Sequence, residues 1–265
     1  MDEIETGQAA GRRPEWREFL RKSLTFKKLQ DIDLDTHISL KHRYVYLMVG
    51  KAASSTVTYH LQCAEYRGTP YKPANVNSRH QSPHIAPFQL SRRAFGDVML
   101  NPRFRKLTFV RNPYSRMLSC YLHRIVGTPN QNPSKRTLAR HARRIDPSRL
   151  SFETFVDIAT DMENAEMERH WAVQHDAVLY PLVRYDFIGK QERLIEDLLS
   201  LETLLFGELV FDRAALGTVN KAPMQTGSTA KLREHYTDRI AAKMAERYAI
   251  DFDTFDYSRD LADAF

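Results

Sequence analysis

An unbroken run of strand-forming residues, Tyr44-Val45-Tyr46-Leu47-Met48-Val49, leads directly into Gly50 and then into Lys51-Ala52-Ala53-Ser54-Ser55-Thr56. The run shows no polar alternation, so it reads as a strand buried on both faces, as strands inside parallel sheets are. Beyond the turn, Val57, Leu61 and Ala64 recur at helical spacing, and Gly68 and Pro70 close that helix. The loop between strand and helix brings small residues, hydroxyls and a lysine to a helix N-terminus. Backbone N–H groups there are unpaired and the helix dipole favours an anion, so the segment reads as a cradle for a phosphate or sulfate group. The competing reading is an ordinary helix start capped by Ser54 or Ser55.

The cradle departs from the Mg²⁺-dependent Walker loop, which needs an earlier glycine and a Ser or Thr directly after the lysine to hold the metal. Ala52 occupies that position. A metal-free transfer fits better, and a sulfuryl group carries less charge to neutralise than a terminal phosphoryl group.

A second unit follows a polar stretch, Lys72 to Pro87, and a short helix over Ser91 to Met99. Lys106-Leu107-Thr108-Phe109-Val110 reads as another buried strand, and Pro113 stands where a helix begins. In that helix Tyr114, Met117, Leu118, Tyr121, Leu122 and Ile125 form one apolar stripe. Arg111 stands at the strand end, with Ser115 and Ser119 along one flank of the helix. A guanidinium fork and a hydroxyl can grip a phosphate together. Alternatively, Arg111 caps the sheet and Ser119 borders the stripe.

Further along, Pro129 to Arg149 reads as an irregular, basic segment carrying Lys135, Arg136, Arg140, Arg143, Arg144 and Arg149. Ser151 caps a helix bearing Phe152, Phe155, Val156 and Ala159. Leu182 to Gly189 reads as a strand, Leu194 to Leu199 as a helix, and the chain finishes with helices over Thr229 to Tyr236 and Thr237 to Tyr248. This alternation predicts an α/β fold with a P-loop-like central parallel sheet, helices on both faces and ligands at the C-terminal strand ends. With 265 residues, 42% of them hydrophobic, the chain can build one sizeable core. The expected organisation is an N-terminal extension over 1–40 and a single domain over 41–265.

The net charge of +6 suggests an anionic partner without naming it. Cys63 and Cys120 lie inside expected helices, in no metal spacing, and read as reduced core thiols. No apolar run is long enough for a signal peptide or a membrane span. A cytoplasmic protein with no integral membrane segment is expected.

Together the two strand-end segments resemble the carbohydrate sulfotransferase superfamily, in particular the group of chondroitin, HNK-1 and uronyl 2-O-sulfotransferases. The pattern R-[DN]-P-x-x-R-x-x-S-x-Y of that group is present in full from Arg111 to Tyr121. His170-Trp171 resembles its H-W pair, and Arg184-Tyr185-Asp186-Phe187-Ile188-Gly189-Lys190-Gln191-Glu192 its Y-D-F-I-G-x-x-E segment. The resemblance runs from about Tyr44 to Tyr257. It implies a co-substrate, 3′-phosphoadenosine 5′-phosphosulfate (PAPS), and no metal. The loop of Lys51, Ala52, Ala53, Ser54, Ser55 and Thr56 would hold the 5′-phosphosulfate, with Lys51 touching the transferring group. Arg111 with Ser119 would hold the 3′-phosphate. Thr226-Gly227-Ser228-Thr229-Ala230-Lys231-Leu232 resembles the donor-binding loop near the C-terminus, placing Ser228 and Thr229 over the nucleotide; a plain helix cap there is the equal alternative.

An acceptor hydroxyl needs a base, and a neutral imidazole suits that role. His84, in His84-Ile85-Ala86-Pro87-Phe88, is the nearest counterpart of the catalytic histidine of the uronyl 2-O-sulfotransferases, with His80 and His170 as alternatives. The acceptor implied is a carbohydrate or another hydroxyl compound, and the basic segment favours an anionic saccharide. Two other classes compete. A P-loop kinase or NTPase is opposed by Ala52 and by the lack of a carboxylate pair for Mg²⁺. A non-enzymatic polyanion binder would use residues 135–149, which lack aromatic interleaving and match no nucleic-acid motif, so no nucleic-acid partner is expected.

Overall fold

The computed structural model describes residues 15–73, 75–128, 132–141, 150–216 and 231–264. It opens with helices α1 (Glu15–Phe26) and α2 (Leu29–Asp35), followed by strands β1 (Thr36–Ser39) and β2 (Tyr44–Leu47). Helix α3 (Ser54–Tyr66) leaves the loop after β2, and α4 (Arg92–Leu100) precedes β3 (Arg105–Val110). Helix α5 (Pro113–Cys120) continues into a wider π-helical stretch, Tyr121–Val126. Then come α6 (Pro133–His141), α7 (Phe152–Asp161), the single turn α8 (Gln174–Ala177), β4 (Phe187–Lys190) and α9 (Leu194–Phe206). Helices α10 (Leu232–His235), α11 (Asp238–Arg247) and α12 (Ala249–Thr254) complete the described chain.

The four strands lie in the order β1-β2-β3-β4. Strands β2, β3 and β4 run parallel, with Leu47 opposite Thr108 and Val110 opposite Lys190. The sheet is not wholly parallel, because β1 joins it antiparallel, Thr36 facing Leu47. That strand belongs to the stretch before residue 41, where Phe19, Ile32 and Ile38 are also buried. From residue 15 onward the expected extension therefore supplies two helices and an edge strand to the common core. Thr36-His37-Ile38-Ser39 carries one aliphatic residue, so its sequence gave no strand signal.

Both faces of the sheet are covered by helices, as expected. Tyr44, Tyr46, Leu107 and Phe109 pack against Val57 and Leu61 of α3 and Leu198 and Leu201 of α9. Val45 and Leu47 point the other way, onto Phe19 of α1 and Phe95 and Met99 of α4. This two-sided burial explains the unbroken apolar runs. A third cluster joins α5, α7 and α11 through Met117, Phe155, Val156, Ile240 and Met244, with Trp171 fully buried among them.

Two boundaries differ from expectation. The strand read over Leu182 to Gly189 is confined to Phe187–Lys190, because Leu179 adopts a left-handed φ of 54° and the chain turns there before entering the sheet. Helix α10 covers Leu232–His235, with Thr229 and Ala230 outside the described residues, while the next helix starts behind Thr237 as expected, its Oγ1 accepting from Ile240 N. The segment read as irregular contains α6, whose Asn132 Oδ1 accepts from Lys135 N at 3.0 Å. Its one strongly apolar residue, Leu138, is fully buried, too little for a periodic signal. Arg143, Arg144 and Arg149 lie outside the described residues.

Candidate active site

The loop leaving β2 is built on unusual backbone. Lys51 and Ala53 adopt left-handed φ angles of 71° and 55°, which non-glycine residues rarely hold without a compensating role. Ala53 occupies the N-cap position of α3 and offers no side-chain cap, so the helix does not start on a Ser54 or Ser55 cap as the alternative reading expected. Ala52 is fully buried with Val49, Val110, Val178 and Phe255. Its side chain faces the core, and only its backbone belongs to the loop.

Lys51 is the cation at the centre of this arrangement. Among the described residues its Nζ has no hydrogen-bond or ion-pair partner. Burial pushes the ammonium down to about 8, and the charges of Arg111 and Arg124 add to that. Burial in turn pushes Cys120 up to about 12, so it stays a neutral thiol.

Arg111 is brought to the same place from the end of β3. Its Nη1 donates to the Lys51 carbonyl at 3.2 Å, and its Nε donates to Ser115 Oγ at 2.9 Å. The backbone beneath it is tied twice to Gln174: Arg111 N donates to Oε1 at 3.0 Å, and Nε2 donates to the Arg111 carbonyl at 2.8 Å. Gln174 is itself seated by Asp251, which accepts from the backbone N–H groups of Gln174 and His175, both at 2.8 Å. Asn112 caps α5 through Oδ1, and its own N–H donates to Glu192, which also accepts from Tyr257. Glu192, on the turn that follows β4, thus straps the strand end. Ser119 lies one turn beyond Ser115 and is nearly buried, at 4% exposure.

Arg116 joins a third segment to the loop. Its guanidinium, 2% exposed, donates to the carbonyls of Gly50 at 3.0 Å, Ala172 at 2.8 Å and Arg169 at 3.5 Å. This brings His170 against the loop so closely that a Cβ on Gly50 would stand 3.1 Å from His170 Cδ2. Only glycine leaves room for that contact without displacement.

The expected site residues divide accordingly. The structure brings Lys51, the loop over Ala52–Thr56 and Arg111 together, with His170 beside them; the hydroxyl that Arg111 Nε reaches is Ser115, and the expected Ser119 lies one turn further along α5. It does not bring His84 to them. His84 Nε2 lies 2.7 Å from Tyr44 Oη, at the start of β2, and that hydroxyl also donates to Glu65 at 2.9 Å. Glu65 lies near the far end of α3, about 16 Å along the helix axis from Ser54. His84 belongs to a buried group with His37, Tyr44 and Arg79. His80 is exposed on a short turn of helix, and Ser228 and Thr229 lie outside the described residues.

Burial, with Arg79 and His42 nearby, pushes His84 down to about 3, and His37 is likewise lowered. The unfolded chain binds these protons near the ordinary value of 6.5, so stability is fully present above that pH and falls as the pH drops toward 3. Urea unfolding at pH 7.5 and pH 5 is expected to give a lower midpoint at pH 5. The gap is expected to narrow in His84→Gln.

Sequence reasoning missed several contributors. Gln174, Asp251 and Arg124 stand in no motif, and Glu168 is two residues from His170 in a turn, a spacing with no regular periodicity. His123 lies on the π-helical stretch, where burial and the charges of Lys51 and Arg124 push it down to about 4. Among the described residues no group of three or more His, Cys, Asp or Glu could hold a metal, and no helix is long and apolar enough to cross a membrane.

The strand-end loop thus gathers cations around a half-buried lysine. A profile of the family described as the Sulfotransferase family matches residues 35–258, which include every element of this site. The chain belongs to that family. Human carbohydrate sulfotransferase 8 is 25% identical over 179 residues, covering 61% of this chain and 41% of that protein. Its mouse counterpart is 23% identical over 242 residues, with 85% and 57% covered. Mouse carbohydrate sulfotransferase 11 is 24% identical over 262 residues, covering 90% of this chain and 70% of that protein. The chain thus spans about half the length of the carbohydrate sulfotransferase 8 relatives. No solved structure gives a significant match.

Proposed function

We propose that this chain transfers the sulfuryl group of PAPS to a hydroxyl of a carbohydrate. The observation that carries the reading is the half-buried Lys51 ammonium, without an anionic partner among the described residues, on a residue whose carbonyl is tied to Arg111. Family membership and the names of the relatives support the reaction class and the carbohydrate acceptor.

The residues present fit the donor. Lys51 and the backbone of the loop that opens α3 would take the phosphosulfate, and Arg111, seated by Ser115 and Gln174, would take the 3′-phosphate with Ser119 beside it. The donor supplies an activated sulfur. The protein's part is to hold it in place and to neutralise charge on the departing phosphate oxygen, through Lys51 and the loop N–H groups. Ala52, turned into the core, offers no hydroxyl for a Mg²⁺ ion, which supports metal-free transfer over a kinase. A polyanion-binding role loses part of its basis, because Lys135 is buried and donates to the Thr128 carbonyl at 2.8 Å.

Calorimetry with adenosine 3′,5′-bisphosphate and with Mg·ATP tests the assignment. Binding of the bisphosphate in the presence of a chelator is expected. Binding of Mg·ATP alone would overturn the proposal.

A further inference from the structure

Resting on the sulfotransfer reading, a second question is which group removes the acceptor's proton. His170 is the histidine that packs against the loop, at the Gly50 position directly before Lys51. Its Nδ1 lies 2.7 Å and 2.9 Å from the two carboxylate oxygens of Glu168, and its backbone N–H donates to the same carboxylate at 3.0 Å. Burial alone would push Glu168 up, but the charge and hydrogen bonds of His170 hold it down at about 2, so it is a carboxylate. A carboxylate only accepts, so Nδ1 carries the hydrogen and the Nε2 lone pair points elsewhere. Among the described residues Nε2 makes no hydrogen bond, and it is not among the atoms sealed from solvent without a partner. The side chain is 13% exposed.

His175 also has a carboxylate partner, its Nδ1 lying 2.9 Å from Asp176 Oδ1, but its ring packs on Tyr180. Neither His123 nor His84 shows a carboxylate partner among the described residues. His123 is near Lys51, yet among the described residues its buried Nδ1 has no partner and the charges it faces are Lys51 and Arg124. A proton gained there would meet cations and no carboxylate. His84 is placed toward the opposite end of α3 and faces Arg79.

We infer that His170 Nε2 is the general base of the transfer, and that Glu168 is its positioning residue, fixing the tautomer and compensating the imidazolium. Arg116 supports both by holding the carbonyls of Arg169 and Ala172, on either side of His170, to that of Gly50. In the step, an oxygen lone pair of the acceptor hydroxyl forms the new O–S bond. The S–O bond to the 5′-phosphate breaks, its electron pair leaving with adenosine 3′,5′-bisphosphate. The hydroxyl proton passes to Nε2 and then to solvent. The groups facing the imidazole are Glu168 and Arg169 from its own segment, Arg124 and His123 from the stretch after α5, and Lys51 beyond His123. Burial lowers His170 from its ordinary value and Glu168 opposes that, so the ring is neutral and ready to accept at neutral pH.

The test combines three measurements on the full chain. Release of sulfate from labelled PAPS is followed with desulfated chondroitin and with water as acceptors, beside calorimetry with adenosine 3′,5′-bisphosphate. His170→Ala is expected to lower kcat at least about 100-fold, with bisphosphate affinity within about threefold and partial rescue by added imidazole. Glu168→Gln is expected to lower kcat and move the acid limb of the pH profile to lower pH, which a merely structural change would not do. In ¹⁵N-histidine spectra of the donor-free protein, the His170 signals, identified by their loss in His170→Gln, are expected to show the Nδ1–H tautomer. Retention of kcat within about threefold in His170→Ala, loss without imidazole rescue, or an Nε2–H tautomer would each overturn the inference while leaving donor binding intact. A wild-type protein that binds the bisphosphate yet transfers sulfate to neither acceptor overturns it as well. Absence of bisphosphate binding in the wild type sinks the donor reading and the inference together.

Discussion

Lys51→Ala is expected to lower sulfate transfer by about 10²–10³-fold, the range seen when one preorganised group that stabilises developing charge is removed from a catalytic site. The same variant is expected to weaken adenosine 3′,5′-bisphosphate binding, because Lys51 has no anion to neutralise among the described residues and a bound phosphate would supply it. A pH series separates charge from packing. Burial holds the ammonium at about 8, so it is charged below that pH and neutral above it. Bisphosphate affinity in the wild type is therefore expected to fall as pH rises through 8 toward 10, and calorimetry across that range reads the fall. Lys51→Arg keeps its charge throughout and is expected to flatten the profile. Unchanged transfer in Lys51→Ala would show that the loop does not hold the reacting group.

The parts of this site that were legible in the sequence are those made of contiguous residues. The run Tyr44 to Val49 and the small residues behind it announce a strand, loop and helix. Arg111, Pro113 and the apolar stripe after them announce a second such unit. Both follow from local rules: two-sided burial removes polar alternation, and a helix start needs particular residues. What was not legible is assembled across the chain. Gln174 reaches Arg111 over sixty-three positions, and Asp251 reaches Gln174 over seventy-seven. Neither bond leaves a periodic trace. The histidine question shows the same limit. His84 stands in the polar stretch where spacing suggested a base, but the bridge between Ile38 and Ile85 draws that stretch along β1, beside Tyr44. His170, an alternative in the sequence, is carried to the loop by three carbonyl contacts made by Arg116. Edge strand β1 was missed for a related reason, since its polar residues are buried by partners that lie elsewhere in the chain.

Arg116→Met is expected to cost about 3–5 kcal/mol of stability, measured as a shift in urea unfolding, because it removes one side of a buried charge arrangement. Arg116 donates to three carbonyls and lies close enough to the buried Asp251 to pull that carboxyl down against the effect of burial. The loss would strand both. Arg116→Lys separates geometry from charge. An ammonium keeps the positive charge near Asp251, but it lacks the planar fork that spans Gly50 on one side and Ala172 on the other. The lysine variant is therefore expected to recover most of the stability and little of the activity. Freed by even 1 Å from the segment carrying His170, the loop holding the donor would lose about 100-fold in transfer. Urea midpoints and transfer rates measured on both variants decide the matter. Equal recovery of stability and activity by lysine would mean that Arg116 contributes charge alone. The split expected here would mean that the second arginine of the R-N-P-x-x-R sequence joins the donor loop to the segment that carries the base.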